Sequence, residues 1–431
     1  MERAKKRPRV MCKPQGRWGA CMNQLCANEV TVLGGESDQD FGVALDDTFS
    51  YQTISKEWKI TTISKDVTRV WHTSTLIPHL NMLFIFGGES YNDTPTPEIL
   101  GKAMVYDVEL KMFYPPKIKG KQIPSPRSGH VAALIGTDIV LGLGISRRTR
   151  QLGDMYALCT KTWTWRIINV TTEKNGNKSN KRQKKISKKA IALASSSSSS
   201  SSSSTTTNST STSSSSSSSS PYSPKPRSYS TFTALDNGRA VLFGGNDENQ
   251  SFNDIEILNT NNKNNTNNWY WTKPIASGTY PSPRTGHAAV KCQQDLFIHG
   301  GWNPQSNTKL ICFNDLHLLN ISTLTWSTIT TIQTYPRVGH CLHYLENSQQ
   351  IILFGGQGSA PQAERHSDIQ VFHYNDVVQK EEVTSKEMNE TNESVPMEIV
   401  LEDVVEVEAN VTRRIPTTPE ILFPPLKSST A

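Results

Sequence analysis

Short apolar runs that end in a glycine pair recur along the 431-residue chain, and no other feature restricts the fold as tightly. The runs are Val30 to Leu33 before Gly34-Gly35, Leu83 to Phe86 before Gly87-Gly88, Ala240 to Phe243 before Gly244-Gly245, Leu296 to His299 before Gly300-Gly301, and Ile351 to Phe354 before Gly355-Gly356. Ile139 to Leu143, with Gly142 and Gly144, is a sixth, degenerate copy. Each run is short and rich in β-branched or aromatic side chains, as buried strands are. Glycine at its end permits a sharp exit at positive φ.

An Arg-x-x-His motif or its remnant precedes every run: Arg17 (with Ala20), Arg69 to His72, Arg127 to His130, Arg227 (with Ser230), Arg284 to His287, and Arg337 to His340. The arginines are 52, 58, 100, 57 and 53 residues apart. The long interval contains a lysine-rich segment and two serine runs, and removing about 50 residues restores the period. After each glycine pair comes a third strand, usually followed by an aromatic fourth. Tyr51 and Trp58, Tyr106 and Phe113, Leu158 and Trp165, and Leu319 and Trp326 are each seven positions apart, while copy four offers Trp269 or Trp271 after Leu258.

Four strands per repeat and a period near 50 describe a propeller blade. On these motifs the chain resembles the kelch repeat family from about Arg17 to Asn375. The expected fold is all-β, a six-bladed kelch-type β-propeller. Residues 14–170 would form blades one to three and residues 222–376 blades four to six. Residues 171–221 read as a disordered Lys/Ser-rich insertion, and residues 377–431 as an acidic, largely disordered tail. Residues 1–13 are a basic segment that includes a possible closing strand, because copy six has Gln379 where the closing aromatic is expected. Propellers similar to this one let a chain end complete a blade, which hides two sheet edges. Trp58 and Trp326 each precede the next arginine by 11 residues, and the same count back from Arg17 reaches Lys6. Arg7 to Cys12 is therefore the candidate strand, and Val377 to Thr384 the alternative.

The net charge of +6 separates into +4 for residues 1–9, +8 for residues 171–226 and −6 for residues 377–431, which leaves the body neutral. A neutral body argues against nucleic-acid binding through the propeller, since that needs clustered Lys and Arg. The seven cysteines lack the paired spacings of a zinc site. No apolar stretch reaches the roughly 18 residues of a membrane span, and no signal region follows the basic start. An intracellular location is expected. The nucleus is favoured by Lys5-Lys6-Arg7-Pro8-Arg9 and by Lys181-Arg182-Gln183-Lys184-Lys185.

His72, His130, His287 and His340 could suggest a metal or a general base. A residue repeated in successive blades serves the blade, however, so backbone hydrogen bonds are expected for these histidines and for the arginines. No metal, cofactor or catalytic residue is expected, and no enzymatic activity. Function is placed in the loops between second and third strands, which the resemblance gathers at one mouth of the channel. Their candidate partner-binding residues are Glu36, Asp38, Asp40, Glu89, Asp93, Glu98, Arg147, Arg148, Arg150, Asp247 and Glu248, with Trp302 as an exposed aromatic. The expected role is a scaffold or adaptor for a protein or peptide. The alternatives are a galactose-oxidase-like enzyme on the same propeller, and a ubiquitin-ligase substrate receptor or trafficking effector.

Overall fold

A computed structural model describes residues 13–38, 44–91, 97–146, 150–169, 222–260, 269–305, 310–330, 332, 334–360 and 363–377. Every glycine-ended run is the second strand of an antiparallel sheet. Blade one comprises Cys21–Cys26, Glu29–Leu33, Asp47–Gln52 and Glu57–Ile63, in that spatial order. Blades two to five repeat this order, starting at Thr73–Ile77, Val131–Ile135, Thr231–Leu235 and Ala288–Cys292. Blade six has three strands, Cys341–Leu345, Gln350–Phe354 and Ile369–His373. The first strands stand side by side around an axis, and that of blade six neighbours that of blade one, so the ring is closed. The structure is thus the six-bladed propeller that the repeat predicts. Among the described residues no helix is long and apolar enough to cross a membrane.

The seven-residue spacing is that of directly opposed positions in a hairpin. Tyr51 faces Trp58, Tyr106 faces Phe113, Leu158 faces Trp165 and Leu319 faces Trp326. Opposed residues share one face of the sheet, and that face is buried against the preceding blade. Trp165 packs with Ile77, Phe84 and Phe86 of blade two, and Trp326 with Leu235 and Phe243 of blade four. In blade four Trp271, not Trp269, is the residue opposite Leu258.

The six repeat arginines are all buried and form the frame. Each donates to the carbonyl of the first residue after its own second strand: Arg17 to Gly34 at 3.0 Å, Arg127 to Leu143 at 3.1 Å, Arg284 to Gly300 at 2.9 Å. Five also meet an aspartate that starts or directly precedes the third strand: Asp47, Asp154, Asp254, Asp315 and Asp368. Arg69 reaches the Lys102 carbonyl at that place. The arginine's own carbonyl accepts from the second glycine of the preceding blade, as in Gly35 N to Arg69 O and Gly301 N to Arg337 O, both 2.9 Å. Gly356 N to Arg17 O, 2.7 Å, repeats the contact across the closure. A Cβ on Gly34 would lie 2.6 Å from the Arg69 carbonyl, at φ +63°, so this latch requires glycine.

The repeat histidines depart from expectation. Instead of backbone groups, three of the four bond side chains of the preceding blade, while neither ring nitrogen of His72 meets a partner among the described residues. His130 Nε2 pairs with Thr73 Oγ1 at 2.8 Å, His287 Nε2 with Thr231 Oγ1 at 2.9 Å, and His340 Nε2 with His299 Nδ1 at 2.9 Å. They are couplings between blades, which no single repeat can reveal.

No fourth strand lines the outer edge of blade six among the described residues. Arg7 to Cys12 lies outside them. Of the alternative, Val377 alone is described. It is buried in a helical turn over 374–377 against blades five and six, which is not a strand. Immediately ahead of Arg17 the chain presses on the start of that open edge: Arg17 N donates to His366 O at 3.1 Å, and a Cβ on Gly16 would overlap the Arg365 carbonyl. If Arg7 to Cys12 is the closing strand, deleting Met1 to Cys12 lowers the melting midpoint, because sheet edges would then be exposed. An unchanged midpoint by circular dichroism would move closure elsewhere.

Candidate functional site

At one end of the inner strands, the residue two after each repeat arginine turns across the axis at positive φ: Gly19, Trp71, Gly129, Tyr229, Gly286 and Gly339. Their backbones form a closed ring of six hydrogen bonds. Trp71 N donates to Gly19 O, Gly129 N to Trp71 O, Tyr229 N to Gly129 O, Gly286 N to Tyr229 O, Gly339 N to Gly286 O, and Gly19 N to Gly339 O, at 2.8–3.0 Å. The two rings lie over glycines. A Cβ at Gly129 would sit 2.7 Å from Tyr229, and one at Gly339 2.6 Å from Trp71. Trp18, Trp71 and Tyr229 meet edge to face at centroid separations of 5.1 and 5.0 Å. This floor bounds an axial cavity of about 110 Å³ that His72, His130, His287 and His340 also line.

Around the floor stands a wall made by the residue that follows each glycine pair: Glu36, Glu89, Ile145, Asn246, Trp302 and Gln357. Each is bridged to the residue after a repeat arginine, namely Trp18, Val70, Ser128, Ser228, Thr285 and Val338 in turn. Three of the predicted residues, Glu36, Glu89 and Trp302, are thus brought to one level of the same mouth. Asp247 and Glu248 follow Asn246, and Arg150 borders the loop after Ile145.

Their chemistry differs from expectation in several places. Glu36 is 6% exposed and its carboxylate meets Arg365 Nη2 at 2.8 Å. The same carboxylate accepts from Trp18 Nε1 at 3.4 Å. Asp38 is exposed but also engaged, with Arg365 Nε at 3.3 Å and the Arg365 backbone N–H at 2.7 Å. These acids tie blade six to blade one, so neither is a free binding group. Trp302 is 8% exposed and packs with Trp18, Leu310, Cys312 and Val338, so it is a core residue and not an exposed aromatic. Asp247 caps its own loop by accepting from the N–H groups of Asn249 and Gln250, both at 2.8 Å. Glu248, Glu98 and Arg150 are exposed. Asp40, Asp93, Arg147 and Arg148 lie outside the described residues.

Glu89 is partly buried and accepts from the Ser128 hydroxyl. Burial pushes its carboxyl up, with a smaller contribution from the Glu36 charge. The Tyr229 hydroxyl is raised well above its ordinary value by burial and then by Glu89. Arg365, Trp71 and Tyr229 were missed from the sequence. For Trp71 and Tyr229 a signal was available as the position two after each repeat arginine, which carries glycine in four copies and an aromatic in two; Arg365 had none. Among the described residues no three His, Cys, Asp or Glu side chains converge as a metal would require. A second depression, of about 500 Å³, lies among the hairpin tips at the other end, where Lys291 is already paired with Asp236 at 3.2 Å.

A family profile for the KLHDC2/KLHL20/DRC7 Kelch-repeats domain matches residues 20–191 and 194–356. Acyl-CoA-binding domain-containing protein 5 of Arabidopsis thaliana is 29% identical over 287 residues, which are 65% of this chain and 34% of that protein. Host cell factor of Drosophila melanogaster is 23% identical over 337 residues, 72% of this chain and 19% of that protein. Rho GTPase-activating protein gacHH of Dictyostelium discoideum is 32% identical over 138 residues, 31% of this chain and 8% of that protein. The matched stretch is about a third or less of each relative's length.

Proposed function

Because this chain belongs to the kelch-repeat propeller family, we propose that it is a protein-binding module whose partner docks on the mouth walled by the residues after the glycine pairs. One observation carries this reading. The six blades are an internal comparison: frame positions repeat from blade to blade, whereas the six wall positions hold Glu36, Glu89, Ile145, Asn246, Trp302 and Gln357. Glu36 and Trp302 are taken up by the tether and the core, but Glu89, Ile145, Asn246 and Gln357 differ from one another as well, and recognition of an asymmetric partner calls for different residues. The partly exposed Trp71 and Tyr229 add the aromatic surface that recognition sites favour.

The reading assigns no catalytic group, since three of the four repeat histidines are engaged in bonds between blades. Stoichiometric copper in the purified protein would overturn that assignment and favour an oxidase. The docking reading is tested by replacing Arg150 with glutamate and Glu248 with arginine, both of which are exposed beside this mouth. Capture of partner proteins from native extract should fall, while stability shifts by no more than about 0.5 kcal/mol, as exposed substitutions usually do. Undiminished capture would move the binding face away from this mouth.

A further inference from the structure

Glu36 and Glu89 hold the same position in blades one and two, but their charges are treated differently. Glu36 is neutralised by Arg365, whose guanidinium lies over Trp18 at 5.1 Å while one nitrogen meets the carboxylate at 2.8 Å. Arg365 comes from the preceding blade, where it is bridged to Gln357. The matching bridge partner in blade one is Ala44, opposite Glu36, and its methyl cannot reach Glu89. Among the described residues Glu89 receives the Ser128 hydroxyl and no cation. A carboxylate withdrawn from water without a cation is costly, and a guanidinium lowers that cost most when aromatic faces flank it. Glu89 is bridged to Val70, the residue before Trp71, Trp71 is in edge contact with Tyr229, and the Tyr229 ring lies over Gly129, the residue after Ser128. The protein therefore displays at Glu36 the complete form of a site that is left open one blade round.

We propose that Glu89, with Ser128, Tyr229 and Trp71 about it, receives the guanidinium of one arginine side chain of the partner polypeptide. This rests on the docking reading above and names the chemistry the partner presents at the mouth. The other macromolecular possibility, an acidic partner segment, is disfavoured by a carboxylate that meets no cation among the described residues.

The probe is Nα-acetyl-arginine methylamide, titrated into the full chain at pH 7.5 while the Trp71 indole N–H resonance is followed. A saturable shift is expected. The citrulline analogue, equal in shape and uncharged, should bind at least tenfold more weakly, and the Glu89→Gln variant should lose at least tenfold for the arginine probe. No saturable shift in the wild-type chain, or equal responses to arginine and citrulline probes, would overturn the assignment without recourse to any variant. Equal affinity of Glu89→Gln, with an unchanged melting transition, would overturn it as well. The docking reading is decided separately by the capture experiment, so a silent Trp71 with capture intact would remove the arginine site alone.

Discussion

Replacing Arg284 with alanine is expected to lower the unfolding free energy by about 3–5 kcal/mol, the cost of breaking a buried ion pair at one partner. The Arg284 side chain is fully buried. Its Nε donates to Ser282 O at 3.0 Å, Nη1 to Gly300 O at 2.9 Å, and Nη1 and Nη2 to the two Asp315 oxygens at 2.7 Å each. The guanidinium also lies 4.6 Å from the Phe313 ring centre. Burial alone would raise the Asp315 carboxyl, but hydrogen bonds from Arg284 and His317 hold it well below the usual carboxylate range. Without Arg284 that charge and the Gly300 carbonyl lose their partner. Asp315 keeps 31% side-chain exposure, so water offsets part of the loss and the lower half of the range is expected. Arg284→Met combined with Asp315→Leu should cost less than Arg284→Ala, because no charge is then stranded. A loss below about 1 kcal/mol on urea unfolding of Arg284→Ala would show that the arginine is not part of the frame.

Mild acid should unfold the propeller. His72, His130, His287, His299, His340 and His343 all have their pKa values lowered, in every case first by burial, with His287 and His299 at about 3 and His343 at about 4. In the unfolded chain they would protonate near 6.5. Below that pH the unfolded state binds protons that the folded state does not, so stability is present above about 6.5 and is lost as pH falls towards the folded values. Each such histidine contributes a slope of about 1.4 kcal/mol per pH unit within that window. Glu89, Glu256 and Asp295, raised by burial, oppose this, since acid favours their folded neutral form. Three carboxyls against these six histidines and His366, which burial also lowers, leave the histidines dominant. A domain of ordinary stability, about 5–15 kcal/mol, should therefore reach its unfolding midpoint between pH 5 and 6. Denaturant midpoints that stay level from pH 7 to 5 would contradict neutral burial of this set.

The blade count, the strand order and the aromatic pairing were all legible in the sequence, because each repeat states its own local rules. A run, a glycine pair and an aromatic seven residues after the third strand are short-range relations, and six copies in register leave one architecture that satisfies them. Arg127, Arg284 and Arg337 were readable as carbonyl donors on the same ground. The aspartate each one meets was not. Asp154, Asp315 and Asp368 lie 27 or 31 residues further on, and only the fold makes that interval a contact.

What tertiary structure alone decided is everything that passes between blades or across the axis. Arg365 and Glu36 are 329 residues apart in the chain and 2.8 Å apart in space, which turned a supposed free acid into a tether. Trp302 looked exposed because it stands in a loop, yet Trp18 and Val338 from other blades cover it. Trp71 and Tyr229 stood out only as the two aromatics at a repeat position otherwise held by glycine, and their meaning comes from a ring of six backbone hydrogen bonds to which each blade contributes one residue. A chain can encode locally how a blade folds, but the charge balance of the mouth depends on which side chains ring closure brings together, and that is a property of all six blades at once.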